Sequence, residues 1–484
     1  MLILAGIVVA IAAACCAFLK RRLVVFVLIG WGLVEGEVRR LLPGQPATVM
    51  LVDDALVLLV YLSFIFWRTG PQRRWQPPFF ISLLTFCLLS MLGIFNPNSP
   101  GILVGLVGFH SYVWFVPLLW VGFQAFDNWE SAREFFWWLC VITIPMTLLA
   151  AYQYVHFASL PAALAPVKGD ILYHTAVGGL ENIKQVPSIF VNAEKFSRYC
   201  LMTFFLSLGL LVDGRGTAFQ KRAVGFAAAA SAAGLFLSGR RSPLYFGLFG
   251  FAWLMMGFYT NLGLRAAYRW IAVVALAGAA VFFITITQNP NAQYYQQSTA
   301  SIPDRARFLY DDIVDSYQRS GLIGLGTGTG SQGVAYVPGG DEWLHTSSSS
   351  SFGLWAESGL GKIMEELGLV GVAFFALWFL SMSLAWFRNV RKLRGKAPYA
   401  VGAALAVYFL LMLAWFAKGH QILGDPITLV QFWFVMGMFF AMPFYLSRRD
   451  SNLRRQPLPV SASLGASAVE RNHRDTEAQR KQGA

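Results

Sequence analysis

Long apolar blocks alternate with short polar joints along most of this chain. A helix needs about 20 apolar residues to cross a bilayer, and the blocks have that length rather than the period-two alternation of strands. They predict helices over 2–19, 23–38, 49–67, 78–95, 101–126, 134–155, 196–212, 223–238, 242–260, 270–287, 367–387, 399–416 and 427–446. The expectation is an all-α polytopic membrane protein of about 12–13 transmembrane helices. The block Leu2 to Leu19 has no basic start and no small-residue cleavage site, and Lys20-Arg21-Arg22 follows it, so it reads as a retained helix. Residues 1–446 then form one transmembrane domain, and 447–484 a polar, basic tail without aromatic residues, read as disordered.

Composition agrees: 13% of residues are charged, against about 25% in soluble domains. The five cysteines (Cys15, Cys16, Cys87, Cys140, Cys200) all fall inside apolar blocks and read as packing residues. The net charge of +13 does not point to nucleic acid, because its distribution tracks topology. Alternating the spans from an outside N-terminus puts 25 of the 38 Lys and Arg in the inside joints and the tail, notably Arg73-Arg74, Lys221-Arg222 and Arg388 to Lys396. That is the positive-inside bias, and it predicts a cytoplasmic C-terminus. Two long segments, 156–195 and 288–366, are left on the extracytoplasmic side. The second carries enough aromatic and apolar residues to form short helices at the membrane surface.

Cations on that side break the bias and draw attention. Arg240 and Arg241 sit in the tight turn Ser238-Gly239-Arg240-Arg241-Ser242. Two readings stand: snorkelling to lipid phosphates, or bidentate binding of a phosphate substrate; the second is favoured because membrane-edge cations tend to be functional. Arg305 opens the large loop, and a glycine-rich run, Gly321 to Gly330 with Gly326 and Gly328 inside it, follows. Such a run can offer backbone N–H groups to an anion or can serve as a tight turn. No lysine follows it as in a nucleotide-binding loop. Next come Glu357, Lys362, Glu365 and Glu366. Lys362 has the spacing to pair with Glu365 and Glu366 along a helix, which leaves either a structural ion cluster or a substrate site. Glu357 stands apart from that pairing and is the better candidate for a general base. His345 lies in the polar stretch Asp341 to Ser351; it, His156 and His174 are isolated histidines with no zinc-ligand spacing around them.

Taken in order, several segments resemble the bacterial O-antigen ligase and polymerase superfamily. Phe95-Asn96-Pro97-Asn98-Ser99-Pro100, followed by Tyr112-Val113-Trp114-Phe115-Val116-Pro117-Leu118, is similar to its exopolysaccharide polymerases. Pro187-Ser188-Ile189-Phe190 resembles the segment before the superfamily's central helices, and Ser238 to Ser242 its Ser/Arg turn. Arg305 with Gly324 to Gly328 resembles the arginine and glycine segment of the large loop. Glu366-Leu367-Gly368 resembles the element that ends it. Where ligases of this superfamily place His-Asn before the Glu-Leu-Gly element, this chain has Glu357-Ser358. That departure fits the polymerase subgroup better and leaves His345 open as an alternative base.

The resemblance implies a GT-C-like glycosyltransferase architecture in a bacterial inner membrane. It also implies transfer of a glycan from a polyprenyl-diphosphate carrier to an acceptor sugar hydroxyl. In such enzymes Arg240, Arg241, Arg305 and Lys362 would bind the diphosphate, with Ser238, Ser242, Glu365, Glu366, Gly326 and Gly328 in support. Glu357 or His345 would take the acceptor proton. The implied partners are the lipid-linked oligosaccharide, the acceptor glycan, membrane lipid, a chain-length regulator and a flippase. No metal or cofactor is called for, since pre-placed cations can stabilise a leaving diphosphate. The alternatives are an O-antigen ligase, or a flippase or transporter. A transporter predicts charges within spans and inverted repeats. Only Asp53-Asp54 stands out as such a charge, and no repeat is evident.

Overall fold

A computed structural model describes residues 21–41, 46–66, 75–156, 160, 185–262, 302–331, 356, 358–419 and 425–455. The expected helices at 2–19 and 270–287, and the tail beyond 455, lie outside the described residues. Within them the helices are α1 (Arg21–Leu41), α2 (Pro46–Phe66), α3 (Phe80–Leu92), α4 (Ile102–Val113), α5 (Leu118–Gln124), α6 (Trp129–Val155), α7 (Ala193–Asp213), α8 (Ala218–Leu237), α9 (Arg241–Leu262), α10 (Ile302–Ser320), α11 (Gly359–Leu393), α12 (Tyr399–Lys418) and α13 (Pro426–Arg455). There is no strand among the described residues. Six stretches are long and apolar enough to cross a membrane: Ile102–Gln124, Trp129–Val155, Ala193–Asp213, Gly359–Leu393, Tyr399–Lys418 and Pro426–Tyr445. The periphery is apolar and open, with Ile81 77%, Leu148 67%, Phe226 69% and Leu377 57% exposed. Soluble monomers rarely expose such a surface, and a bilayer covers it. The protein is a helical, multi-pass membrane protein.

Sequence features explain the boundaries. Asn128, Asn192 and Ser358 cap α6, α7 and α11 by accepting the N–H of Ser131, Lys195 and Gly361, each supplying an acceptor that a helix start lacks. Thr217 and Gln220 form a reciprocal capping box at the start of α8. Two expectations shift. The span 101–126 is interrupted at Trp114–Pro117, where proline removes a donor, and becomes α4 and α5. The late span begins at Gly359 rather than 367, because α11 runs through a kink at Gly368, where φ is 66°.

Helix α7 is the hub. Nearly every residue from Ala193 to Leu210 is buried against α6, α8, α12 and the start of α13. The alanine-rich face of α8 lets it approach α6 and α7 closely, the usual packing device where lipid supplies no hydrophobic drive. The same logic fixes α5 on α13. A Cβ at Gly122 would stand 2.0 Å from the Phe434 carbonyl oxygen, and one at Gly437 would stand 2.1 Å from that of Leu119.

A candidate anion site at the start of the hub helix

The first turn of α7 brings Glu194, Lys195 and Arg198 to one end of the bundle. Arg198 is the centre. Its guanidinium is 3% exposed, pairs with Glu194 one turn earlier, lies 3.2 Å from Asp425 Oδ2, and sits 5.2 Å over the Trp415 ring. Lys195 Nζ reaches Asp425 Oδ1 at 3.0 Å, and the Thr428 hydroxyl donates to Oδ2. Trp415 Nε1 donates to Glu194 Oε1 at 3.1 Å. The end of α12 brings Lys418, which donates to the Ser242 hydroxyl, and both Lys418 and Arg240 lie within electrostatic reach of Glu194. Four cations from three separate helix ends therefore surround two carboxylates. Among the described residues, Arg198 Nε and Arg240 Nε are buried donors with no hydrogen-bond acceptor, an arrangement suited to an anion that supplies one.

The turn that presents Arg240 is built locally. Ser238 ends α8, donates to the Leu235 carbonyl at 2.7 Å and accepts the Arg240 N–H at 3.3 Å, while Gly239 takes a φ of 65°. This is a serine turn followed by a left-handed residue that favours glycine.

A second cluster lies at the start of α11. Glu366 is fully buried and pairs with Lys362, itself 2% exposed, at 3.7 Å. The Lys362 ammonium also lies 5.2 Å over the Tyr112 ring. Glu366 Oε1 accepts the Gly330 N–H at 3.2 Å and the Ser331 hydroxyl at 3.1 Å. The glycine-rich run does cradle an anion, and that anion is the protein's own carboxylate. Other N–H groups of the run go to backbone: Leu325 and Gly326 donate to the carbonyls of Glu365 and Glu366, and Thr327 to that of Gly93. Gly326 and Gly328 are required by conformation and contact. Their φ values are 113° and 93°, and a Cβ on Gly328 would stand 2.0 Å from the Val104 carbonyl oxygen. Glu365 pairs with Arg319 of α10 at 3.7 Å. Asp312 accepts both the N–H and the hydroxyl of Ser358, at 3.0 and 2.6 Å. In this structure Lys362 is an internal counter-ion, buried and paired with Glu366, with its ammonium over the Tyr112 ring.

The structure thus joins Arg240 and Ser242 to cations that sequence reasoning passed over, and it joins Lys362, Glu365, Glu366, Gly326 and Gly328 into a separate lock. Arg241 and Arg305 belong to α9 and α10, but their side chains lie outside the described residues, as do Glu357 and His345 entirely. The two clusters meet through α12: Gly359 packs on Phe416, next to Trp415 and two residues before Lys418. Lys195, Arg198 and Lys418 were visible as cations at span ends on the side where the positive-inside bias disfavours them, and Glu194 and Arg198 have one-turn pairing spacing. Further charged groups pack between α1, α2 and α4. Fully buried Glu35 pairs with Arg39, which lies 3.7 Å from Asp53, and Trp31 Nε1 donates to Asp53 at 2.6 Å. His110 and Asp54 approach to 2.9 Å.

Asp425, in the joint before α13, has a testable signature. Burial pushes its carboxyl up, but Lys195 and Arg198 together outweigh this and hold it below the ordinary carboxylate value. A lowered folded-state value means the stabilisation is fully present above the unfolded value, about pH 4, and disappears as pH falls through the folded one. Thermal unfolding of wild type and Asp425→Asn in detergent, followed against pH, will show a gap that is widest above about pH 4 and closes below it. A gap independent of pH would remove the ionised-carboxylate assignment.

No family model matches the chain, and no curated protein matches it significantly.

Proposed function

We propose that this chain is a polysaccharide polymerase. It moves a glycan from a polyprenyl-diphosphate carrier to an acceptor sugar hydroxyl on the extracytoplasmic face of a bacterial inner membrane, with its C-terminus in the cytoplasm. The observation that carries the reading is the convergence of Lys195, Arg198, Arg240 and Lys418 at one end of the bundle, with two buried arginine Nε donors that lack acceptors among the described residues. A small aromatic cleft lined by Tyr112, Phe375, Trp378, Phe416, Leu429 and Trp433 lies between α4, α11, α12 and α13, with Phe416 next to Trp415 and Leu429 next to Thr428 in the chain. Cations beside an apolar cleft suit the two chemical parts of a prenyl diphosphate.

In this mechanism the acceptor hydroxyl oxygen attacks the anomeric carbon. The bond from that carbon to the diphosphate oxygen breaks, and its electron pair leaves on the phosphate. Arg198, Arg240 and Lys418 stabilise the growing charge. The hydroxyl proton passes to a base, for which Glu357 is the candidate: its neighbour Ser358 starts α11 beside Phe416, close to Lys418 along α12. Chain-length regulator and flippase partners follow from this role.

A second reading, a lipid-linked glycan transporter, is favoured by one observation: the buried Glu35–Arg39–Asp53 network between α1 and α2, since buried ionisable groups in membrane proteins commonly mark transport paths. Proteoliposomes holding the purified protein and a polyprenyl-diphosphate-linked oligosaccharide separate the two. Polymerase activity yields longer glycans on the carrier and free prenyl diphosphate in equal amount to the bonds formed. Movement of unchanged lipid-linked glycan between leaflets, without lengthening, would replace the polymerase by the transporter. Transfer of an existing polymer to a lipid acceptor would replace it by the ligase.

A further inference from the structure

The two carboxylates of the cation cluster differ in character. Asp425 is sealed: its side chain is 2% exposed and is held by Lys195, Arg198 and Thr428. Glu194 stands at the lip. Its side chain is 15% exposed, while Arg198 behind it is 3% exposed. Nor does the helix depend on Glu194, because the Asn192 side chain already caps α7. Glu194 can therefore swing outward without unravelling the first turn. Four cations held together without counter-charge would repel one another. A carboxylate fixed at the mouth would instead repel an incoming anion.

We infer that Glu194 is an exchangeable counter-anion: it neutralises the cluster while the site is empty and gives up its place beside Arg240 and Lys418 when a diphosphate enters. The inference rests on the diphosphate reading above. It makes Glu194 a positioning residue that sets the balance between capture and release, since its return helps expel the prenyl diphosphate left after transfer.

The test is calorimetric binding of farnesyl diphosphate, a short prenyl diphosphate, to the full chain in nanodiscs. Wild type, Glu194→Gln and Arg240→Ala are compared at two salt concentrations. Removing the competing charge should tighten binding by roughly tenfold in Glu194→Gln, and by more at low salt, while Arg240→Ala weakens it. Weaker binding in Arg240→Ala with unchanged or weaker binding in Glu194→Gln would overturn the counter-anion role and leave the diphosphate site standing. Equal binding by all three would overturn the diphosphate site itself, and so would absence of binding in wild type and Glu194→Gln. Should Glu194→Gln fail to fold, Glu194→Asp gives the same reading: its shorter carboxylate reaches the cluster less well, so tighter binding supports the role and unchanged or weaker binding overturns it. In turnover, Glu194→Gln should lower KM for the lipid-linked donor and lower kcat with it, a split that loss of structure alone does not produce.

Discussion

Truncating Arg198 to alanine is expected to cost about 3–5 kcal/mol of stability, because it takes a shared, buried partner away from both Asp425 and Glu194. Asp425 would keep Lys195 and Thr428 but lose the guanidinium at 3.2 Å, and Glu194 would keep only Trp415 as a close donor. The same change removes the cation packed on Trp415, so α7, α12 and the start of α13 lose their common tie. Lysine at this position should recover little, since an ammonium cannot fork between two carboxylates and lie flat on an indole. The measurement is the thermal midpoint of purified variants in detergent, with Asp425→Ala and the double variant completing a cycle. Strong coupling between the two sites is expected. Additive losses would mean that Arg198 and Asp425 do not act as a pair. Any cellular activity is therefore interpretable only at matched protein levels.

The second large effect is at Glu366. Changing it to alanine strands the Lys362 ammonium in a site where it is 2% exposed, and it removes the acceptor for Gly330 and Ser331. Breaking a buried ion pair by deleting one partner again costs about 3–5 kcal/mol. The damage should be local first, because the glycine-rich segment is held at one end by Glu366 and at the other by its carbonyl ladder to Glu365 and Glu366. Proteolysis within 321–331 should rise before global unfolding does. Replacing both partners by apolar residues, Lys362→Met with Glu366→Leu, should recover much of the loss, since neither desolvated charge then remains. A double variant no more stable than Glu366→Ala would show that the hydrogen bonds to Gly330 and Ser331, rather than the charges, hold the segment.

These two sites were unequally legible in the chain. The Lys362, Glu365 and Glu366 cluster could be read as a pair from one-turn spacing alone, because both partners lie on one helix and local geometry sets their separation. That the glycine-rich run closes on Glu366 could not be read, since the two segments are 36 residues apart and the contact depends on how α10 turns back onto α11. Arg240 was singled out from its turn, but its neighbours were not. Lys195 and Arg198 belong to one helix, Lys418 to another and Asp425 to the joint before a third; no sequence window contains them.

By itself the sequence determined the class of the protein. Apolar runs of bilayer length must be helices in lipid, where every backbone group needs an internal partner. The caps Asn192 and Ser358 are seen in the structure alone, although such capping is local in the chain. Only the tertiary structure decided which charges are ligands and which are struts. Lys362 and Arg240 look alike as outer-face cations, yet one is buried against its own carboxylate and the other presents a buried, unsatisfied donor. That difference comes from burial and from partners brought in by distant segments, and neither is a property of any stretch of chain taken alone.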